Sequence, residues 1–140
     1  LDGAADPDYP AAQAPVPQDP AMAKDTDDQD ILAVVTLYLD GILWGDADKL
    51  RRAFDAKANA TGHFGGRLRN DPRETFIADW VAAPPLADGT PYQSAIDMID
   101  QAGDIAVVKV TSRYFDDDYT DYLTLLRDQG TWLITDKAWF

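Results

Sequence analysis

Four segments in the second half of the chain alternate apolar and polar residues, and this alternation leaves little choice of architecture. They cover residues 92–100, 105–115, 119–127 and 131–140. A strand turns successive side chains to opposite faces, whereas a helix repeats its apolar positions about every 3.6 residues. Short turn signals separate the segments at 102–104, 116–118 and 128–130, with Gly103 and Gly130 in the first and last. Strands joined in order by tight turns pair antiparallel. The spacing therefore predicts a four-stranded meander, and such a sheet needs an apolar partner on its buried face.

The first half supplies helices for that purpose. Ile31, Val34, Val35, Tyr38 and Ile42 fall on one face at helical spacing, and Leu32, Leu39 and Leu43 widen the stripe. Thr26 and Gln29 have the spacing of a capping box that starts this helix, and Gly45 suits its end. Asp46 caps a short second helix with Leu50, Ala53 and Phe54 inward. Residues 59–64 and 67–70 read as a strand pair turning at Gly65 and Gly66. Asp71, Pro72 and Glu74 suit the cap, first and third positions of a third helix. Its apolar face holds Phe76, Ile77, Trp80 and Val81, and Pro84 and Pro85 stop it. The fold class that follows is α+β, a strongly curved antiparallel sheet wrapped around three helices, with a cavity at its open end.

Residues 1–30 have a different character. Pro7, Pro10, Pro15, Pro17 and Pro20 lie there, and eight acids face one base, Lys24. So little apolar surface does not offset the entropy of ordering. Residues 1–26 are predicted to form a flexible, polyproline-like arm, and residues 27–140 the folded domain. The whole chain carries a formal charge of −13, with 12 basic residues scattered along it. Phosphate backbones need clustered Lys and Arg, so nucleic acid is excluded as a partner. Anionic membranes are repelled by the same field, and no run approaches the roughly 18 apolar residues of a spanning helix. The absence of cysteine removes disulfides, zinc–thiolate sites and thiol nucleophiles. The chain begins at Leu1, which fits a cleaved leader, and its composition leaves cytoplasmic and periplasmic or secreted locations equally open. No phosphate loop, nucleophile elbow or histidine pair is present, so neither cofactor nor metal is expected. Asp116, Asp117 and Asp118 lack the alternating ligands of a calcium loop and read as a solvated turn.

The order helix, helix, strand pair, helix, four long strands resembles the nuclear-transport-factor-2-like fold. Tyr38 with Gly45-Asp46, Phe54 with Asp55, and the stretch from Asp121 to Leu126 with Gly130, Trp132, Ile134 and Lys137 carry a further resemblance to its lumazine-binding-like branch. The likeness covers residues 27–140 and implies a cone-shaped barrel with a ligand pocket, dimerising through the sheet. This fold hosts many chemistries and many binders, so fold alone does not assign function. In ketosteroid isomerase and SnoaL-like relatives the same scaffold is catalytic. Tyr38, seven residues before Gly45-Asp46, matches the oxyanion-donor tyrosine of ketosteroid isomerase. The general-base position falls near Gly62 and the protonated acid near Leu123, and neither residue type serves. The comparison implies a related pocket without that chemistry, with the Leu123 face turned inward.

Candidate site residues follow from register and element position. If residues 128–130 form a three-residue turn, Arg127 faces Thr131 and Asp121 lies directly opposite Lys137. Leu123, Leu125, Leu133 and Trp139 then share their face, and Trp132, Ile134, Tyr122 and Leu126 share the other. The Asp121–Lys137 pair reads either as a ligand anchor or acid–base couple, or as a structural cross-strand ion pair. His63, the single histidine, reads as a general base near neutral pH or as a polar residue at a strand end. Phe76, Trp80 and Tyr114 are expected to line the pocket, with Tyr38 within it and Trp44 at its mouth. The functional expectation is a homodimeric, non-catalytic small-molecule-binding domain. The alternatives are an isomerase, dehydratase or cyclase using His63, Tyr38, Asp121 and Lys137, or a protein-interaction module.

Overall fold

The computed structural model of the chain describes residues 20–82, 89–114 and 116–140. Helix α1 (Pro20–Trp44) is followed by α2 (Ala47–Ala53), β1 (Phe54–Phe64), β2 (Arg67–Pro72) and α3 (Arg73–Ala82). The long strands β3 (Gln93–Ala102), β4 (Ile105–Tyr114), β5 (Asp117–Asp128) and β6 (Thr131–Trp139) complete the domain.

Helix α1 starts earlier than its expected cap at Thr26, so residues 20–26 are helical where an arm was expected. Pro20 suits a first helical position. Farther along, Asp27 accepts from Gln101 of β3 at 2.8 Å and pairs with Arg127 of β5, which ties this end of the helix to the sheet. The greater part of the expected arm, residues 1–19, lies outside the described residues, as do Pro84 and Pro85. The helix ends as its glycine suggests. Gly45 takes a φ of 63° and the Asp46 N–H returns to the Gly41 carbonyl at 3.0 Å, which is the longer bond of a Schellman closure. Asp46 then accepts from the Lys49 N–H at 3.1 Å and starts α2.

Ile31, Val35, Tyr38 and Ile42 of α1 pack with Leu50, Ala53 and Phe54 against the inner face of the sheet. Ala106, Val108, Val110 and Tyr114 form that face on β4, alternating with exposed or half-buried neighbours. The strand order is β2-β1-β6-β5-β4-β3. The expected antiparallel meander is present in β3 to β6, but the whole sheet is mixed because β1 runs parallel to β6. No hairpin joins these two strands, so turn geometry does not dictate their relative direction. The sheet is also open, with β2 and β3 as its edges, and it does not close into a barrel. Bulges at the register shifts in β3 and β6 curve it toward the helices.

The β5–β6 hairpin differs from expectation in register. Its turn has two residues, Gln129 and Gly130, with φ of 49° and 81°, and Asp128 pairs with Thr131. Positive φ at both central positions is the mirror-image turn that matches strand twist. A bulge between the Ile134 and Asp136 pairings then moves the frame once more, so Asp121 pairs with Trp139 and Leu123 with Lys137. The two-residue turn puts Trp132 and Ile134 on the buried face with Leu125, the bulge brings Lys137 onto that face with Asp121 and Leu123, and Leu133 pairs with Leu126 on the other. Helix α3 starts at Arg73 rather than Pro72, since Pro72 is the last residue of β2 and pairs with Asn59. Asp71 pairs with Arg69 at 2.9 Å, and Glu74 takes Arg51 and Arg73.

Candidate functional site

Three polar groups meet beneath α3 on the inner face of the sheet. Tyr38, fully buried on α1, donates its hydroxyl to Asp121 Oδ2 at 2.5 Å. The other carboxylate oxygen, Oδ1, stands 3.6 Å from Lys137 Nζ. Asp121 is 5% exposed and Lys137 6%, so both charges are almost wholly withdrawn from water. The two residues are diagonal neighbours on adjacent strands: the bulge in β6 turns Lys137 onto the face of Asp121, although they are not directly opposed.

Aromatic rings surround the ammonium. Phe76 lies 4.9 Å from it, Tyr38 5.1 Å, Trp139 5.8 Å and Trp80 5.9 Å, measured to ring centroids. Each ring face offers partial negative charge to the cation, an attraction that strengthens where water is excluded. Trp80 is held by its indole N–H, which donates to the Ile42 carbonyl at 2.8 Å. Tyr114 stands edge-on to Trp80 at 6.2 Å and stacks on Tyr119 at 4.6 Å.

These groups line a cavity of about 310 Å³, whose walls are Phe76, Trp80, Tyr114, Tyr119 and Trp139 and whose floor is Asp121 and Lys137. This volume falls at the lower end of small-molecule sites, roughly 300–1,000 Å³. Phe64, Arg69, Asp71 and Asp79 complete the lining, and Arg69 bridges the two acids at 2.9 and 2.5 Å. Two cations thus meet three carboxylates in the lining.

Burial shapes the proton equilibria. It pushes the Lys137 ammonium below its ordinary range, and Asp121 pulls in the opposite direction. Burial also holds the Tyr38 hydroxyl well above its usual value, reinforced by Asp121, so this group remains a donor. Tyr114 is raised for the same first reason, with Tyr119 and Asp121 adding to it.

Tyr38, Phe76, Trp80, Tyr114, Asp121 and Lys137 therefore lie together in space, through a register different from the one expected. His63 and Trp44 do not join them. His63 is exposed on β1, and strand alternation puts it on the face opposite Gly62 and Phe64. A side chain at Gly62 has no room, since its Cβ would stand 2.3 Å from the Trp139 ring. Trp139 thus occupies the place that the ketosteroid isomerase comparison assigns to a base. Trp44 is 37% exposed and packs edge-on against Tyr92 at 5.8 Å.

Sequence reading missed Arg69, Asp71, Asp79, Tyr119 and Trp139 as lining. Arg69 and Asp71 are two apart on β2 and so share a face, a usable signal that the reading of Asp71 as a helix cap concealed. Asp79 follows Phe76 by three on α3, the spacing of one helical face. Among the described residues no three His, Cys, Asp or Glu side chains are grouped as metal ligands are. No helix among them is long and apolar enough to cross a membrane.

Comparison with known proteins places this geometry. A protein of unknown function from Silicibacter pomeroyi, described as like nuclear transport factor 2, is 30% identical, with 84% of this chain and 97% of that one covered and a TM-score of 0.76. Another so described, from Methylobacillus flagellatus, is 26% identical over 81% of this chain and 90% of its own, with a TM-score of 0.70. One from Shewanella baltica, at 22% identity with 83% and 94% covered and a TM-score of 0.75, shares the fold. No curated protein matches. The family described as "Putative lumazine-binding" matches residues 26–140. The chain belongs to that family, within the nuclear-transport-factor-2-like superfamily.

Proposed function

We propose that residues 27–140 bind a small, flat, conjugated molecule in the cavity beneath α3, without turning it over, and that the protein acts as a homodimer. The observation that carries this reading is the Tyr38–Asp121–Lys137 chain at the floor of an aromatic cavity. Aromatic walls favour a planar ligand, and a few convergent polar groups orient it. The lining charges balance to within one unit, which favours a neutral ligand with a carbonyl oxygen turned toward the Lys137 ammonium. Lumazine, a bicyclic ring with two carbonyl groups, is the probe suggested by the family's description.

The enzymatic alternative relied on His63 sharing a cavity with Tyr38. With His63 exposed on the opposite face of β1, that reading loses its histidine base and retains only the Asp121–Lys137 pair. The non-catalytic reading needs no base.

Native mass spectrometry of the protein as purified, followed by denaturing extraction, tests the proposal, with a lumazine titration of tryptophan fluorescence beside it. A stoichiometric small molecule, or a saturable response to lumazine, is expected. The Asp121→Leu/Lys137→Met double variant removes both buried charges together and is expected to lose that binding while keeping its far-UV circular dichroism. Empty protein with no saturable response overturns the reading.

A further inference from the structure

We propose that Lys137 captures aromatic aldehydes in the cavity as a reversible protonated imine. The inference rests on the reading that the cavity admits small molecules, and adds a covalent step and a ligand class to it.

The chain has five lysines, at 24, 49, 57, 109 and 137. Lys24 and Lys57 are exposed, Lys49 and Lys109 are half-buried, and Lys137 alone is buried and lines the cavity. Its surroundings differ from those of a structural ion pair. A lysine locked to a carboxylate sits about 2.7–2.9 Å from it, whereas Nζ here stands 3.6 Å from Asp121 Oδ1. Among the described residues Asp121 is the one carboxylate within 4.0 Å of that ammonium, and its other oxygen is committed to Tyr38. Four rings complete the shell. An amine held in an apolar shell, facing a cavity and incompletely paired, is arranged as lysine nucleophiles are. Burial lowers its proton affinity, which favours the neutral form needed for attack.

The step balances without a cofactor or redox partner. The ammonium gives one proton to Asp121 Oδ1, and the freed amine attacks the aldehyde carbon, forming the C–N bond. A second proton passes from nitrogen to the carbonyl oxygen, giving a carbinolamine. Asp121 returns its proton to that hydroxyl, the C–O bond breaks, and water leaves as the nitrogen lone pair forms the C=N bond. The nitrogen keeps its third proton. One ammonium and one aldehyde thus give one iminium ion and one water. The positive charge persists beside Asp121 and within reach of the rings that faced the ammonium. Tyr38 acts as a positioning residue: its hydroxyl stays protonated and holds Oδ2, leaving Oδ1 for proton exchange. An aryl group on the aldehyde suits the walls of Phe76, Trp80, Tyr114, Tyr119 and Trp139.

The test uses the wild-type protein. Folded protein is incubated with benzaldehyde and cyanoborohydride near neutral pH, which converts any iminium to a stable benzylamine, and the label is mapped by peptide mass spectrometry. Lys137 is expected to be labelled at least tenfold faster than each other lysine, and unfolding in urea is expected to abolish the preference. Labelling of Lys137 no faster than that of exposed Lys24 and Lys57 overturns the proposal. Benzyl alcohol, of similar shape but without an electrophilic carbon, separates the two readings. If it perturbs tryptophan fluorescence saturably while Lys137 remains unlabelled, imine capture fails and non-covalent binding stands. If neither occurs, both fail for aromatic ligands of this size.

Discussion

The Tyr38 hydroxyl and the Lys137 ammonium share one carboxylate, so removing either group alone leaves Asp121 poorly satisfied in a buried site. Tyr38→Phe is expected to destabilise the fold by about 1–3 kcal/mol, the cost of one unmet buried acceptor. Lys137→Met strands a charge and is expected to cost about 3–5 kcal/mol, whereas the double variant with Asp121→Leu recovers most of that loss. Urea unfolding of the three variants measures the difference. Alkaline pH separates the two titrating groups. Lys137 releases its proton more readily in the folded chain, so as pH rises toward 10.5 the unfolded chain holds more protons and this residue makes stability increase. Tyr38 does the reverse. Its folded hydroxyl keeps a proton well above 10.0, so beyond that pH the unfolded chain loses protons first and stability falls. Unfolding curves between about pH 8 and 12 are expected to show a smaller alkaline loss in Tyr38→Phe and no Lys137-linked rise in Lys137→Met. Phe76, Trp80 and Tyr114 are legible in the sequence because helical spacing and strand alternation set their faces. Local spacing sets the faces of Arg69 and Asp79, but their pairing is not legible, since it depends on β2 and α3 meeting across the cavity mouth.

The β5–β6 hairpin carries the same lesson at the scale of an element. Alternation identifies both strands in the sequence, yet the turn has two residues rather than three and a bulge lies at Thr135. A bulge inserts one residue and reverses which side chains face the core beyond it, so no period-two reading crosses it intact. The shorter turn and the bulge shift the pairing in the same direction, and the long Lys137 side chain reaches its carboxylate along the diagonal. Likewise, the parallel pairing of β1 with β6 lies beyond any hairpin argument because residues 65–130 separate them in sequence. The turn itself offers a test. Gln129 takes a φ of 49°, a left-handed conformation that costs an ordinary side chain about 1–2 kcal/mol. Asn relieves part of that strain by local hydrogen bonding, so Gln129→Asn is expected to stabilise the protein by about 0.5–1 kcal/mol. Gly130→Val is expected to cost about 1–2 kcal/mol, because Gly130 has a φ of 81° and a β-branched side chain does not settle there. Thermal melts of both variants provide the measurement, and ligand binding should be unchanged in Gln129→Asn.

For the whole molecule the open question is what covers the outer face of the sheet. Met98, Ile105, Val107, Tyr122 and Leu126 are 36–54% exposed on β3, β4 and β5. Ile105 pairs with Leu126, and Lys109, whose ammonium lies 5.9 Å from the Tyr122 ring, pairs with both Tyr122 and Met98. A contiguous apolar patch on a sheet face marks an interaction surface, and a two-fold axis lets one patch cover itself in a second copy. Charge makes the proposal discriminating. Each copy carries −13, so two copies repel one another over a distance set by salt. If apolar burial holds the dimer, raising salt from about 0.05 to 0.5 M screens the repulsion and tightens association; if ion pairs hold it, the same change loosens it. Sedimentation velocity across that range is expected to show a dimer that persists or strengthens with salt. The variant Tyr122→Arg/Leu126→Glu should sediment as a monomer with its cavity intact. A wild-type chain that remains monomeric at every salt concentration leaves the patch uncovered by self-association and shifts the reading toward a docking surface for a different protein.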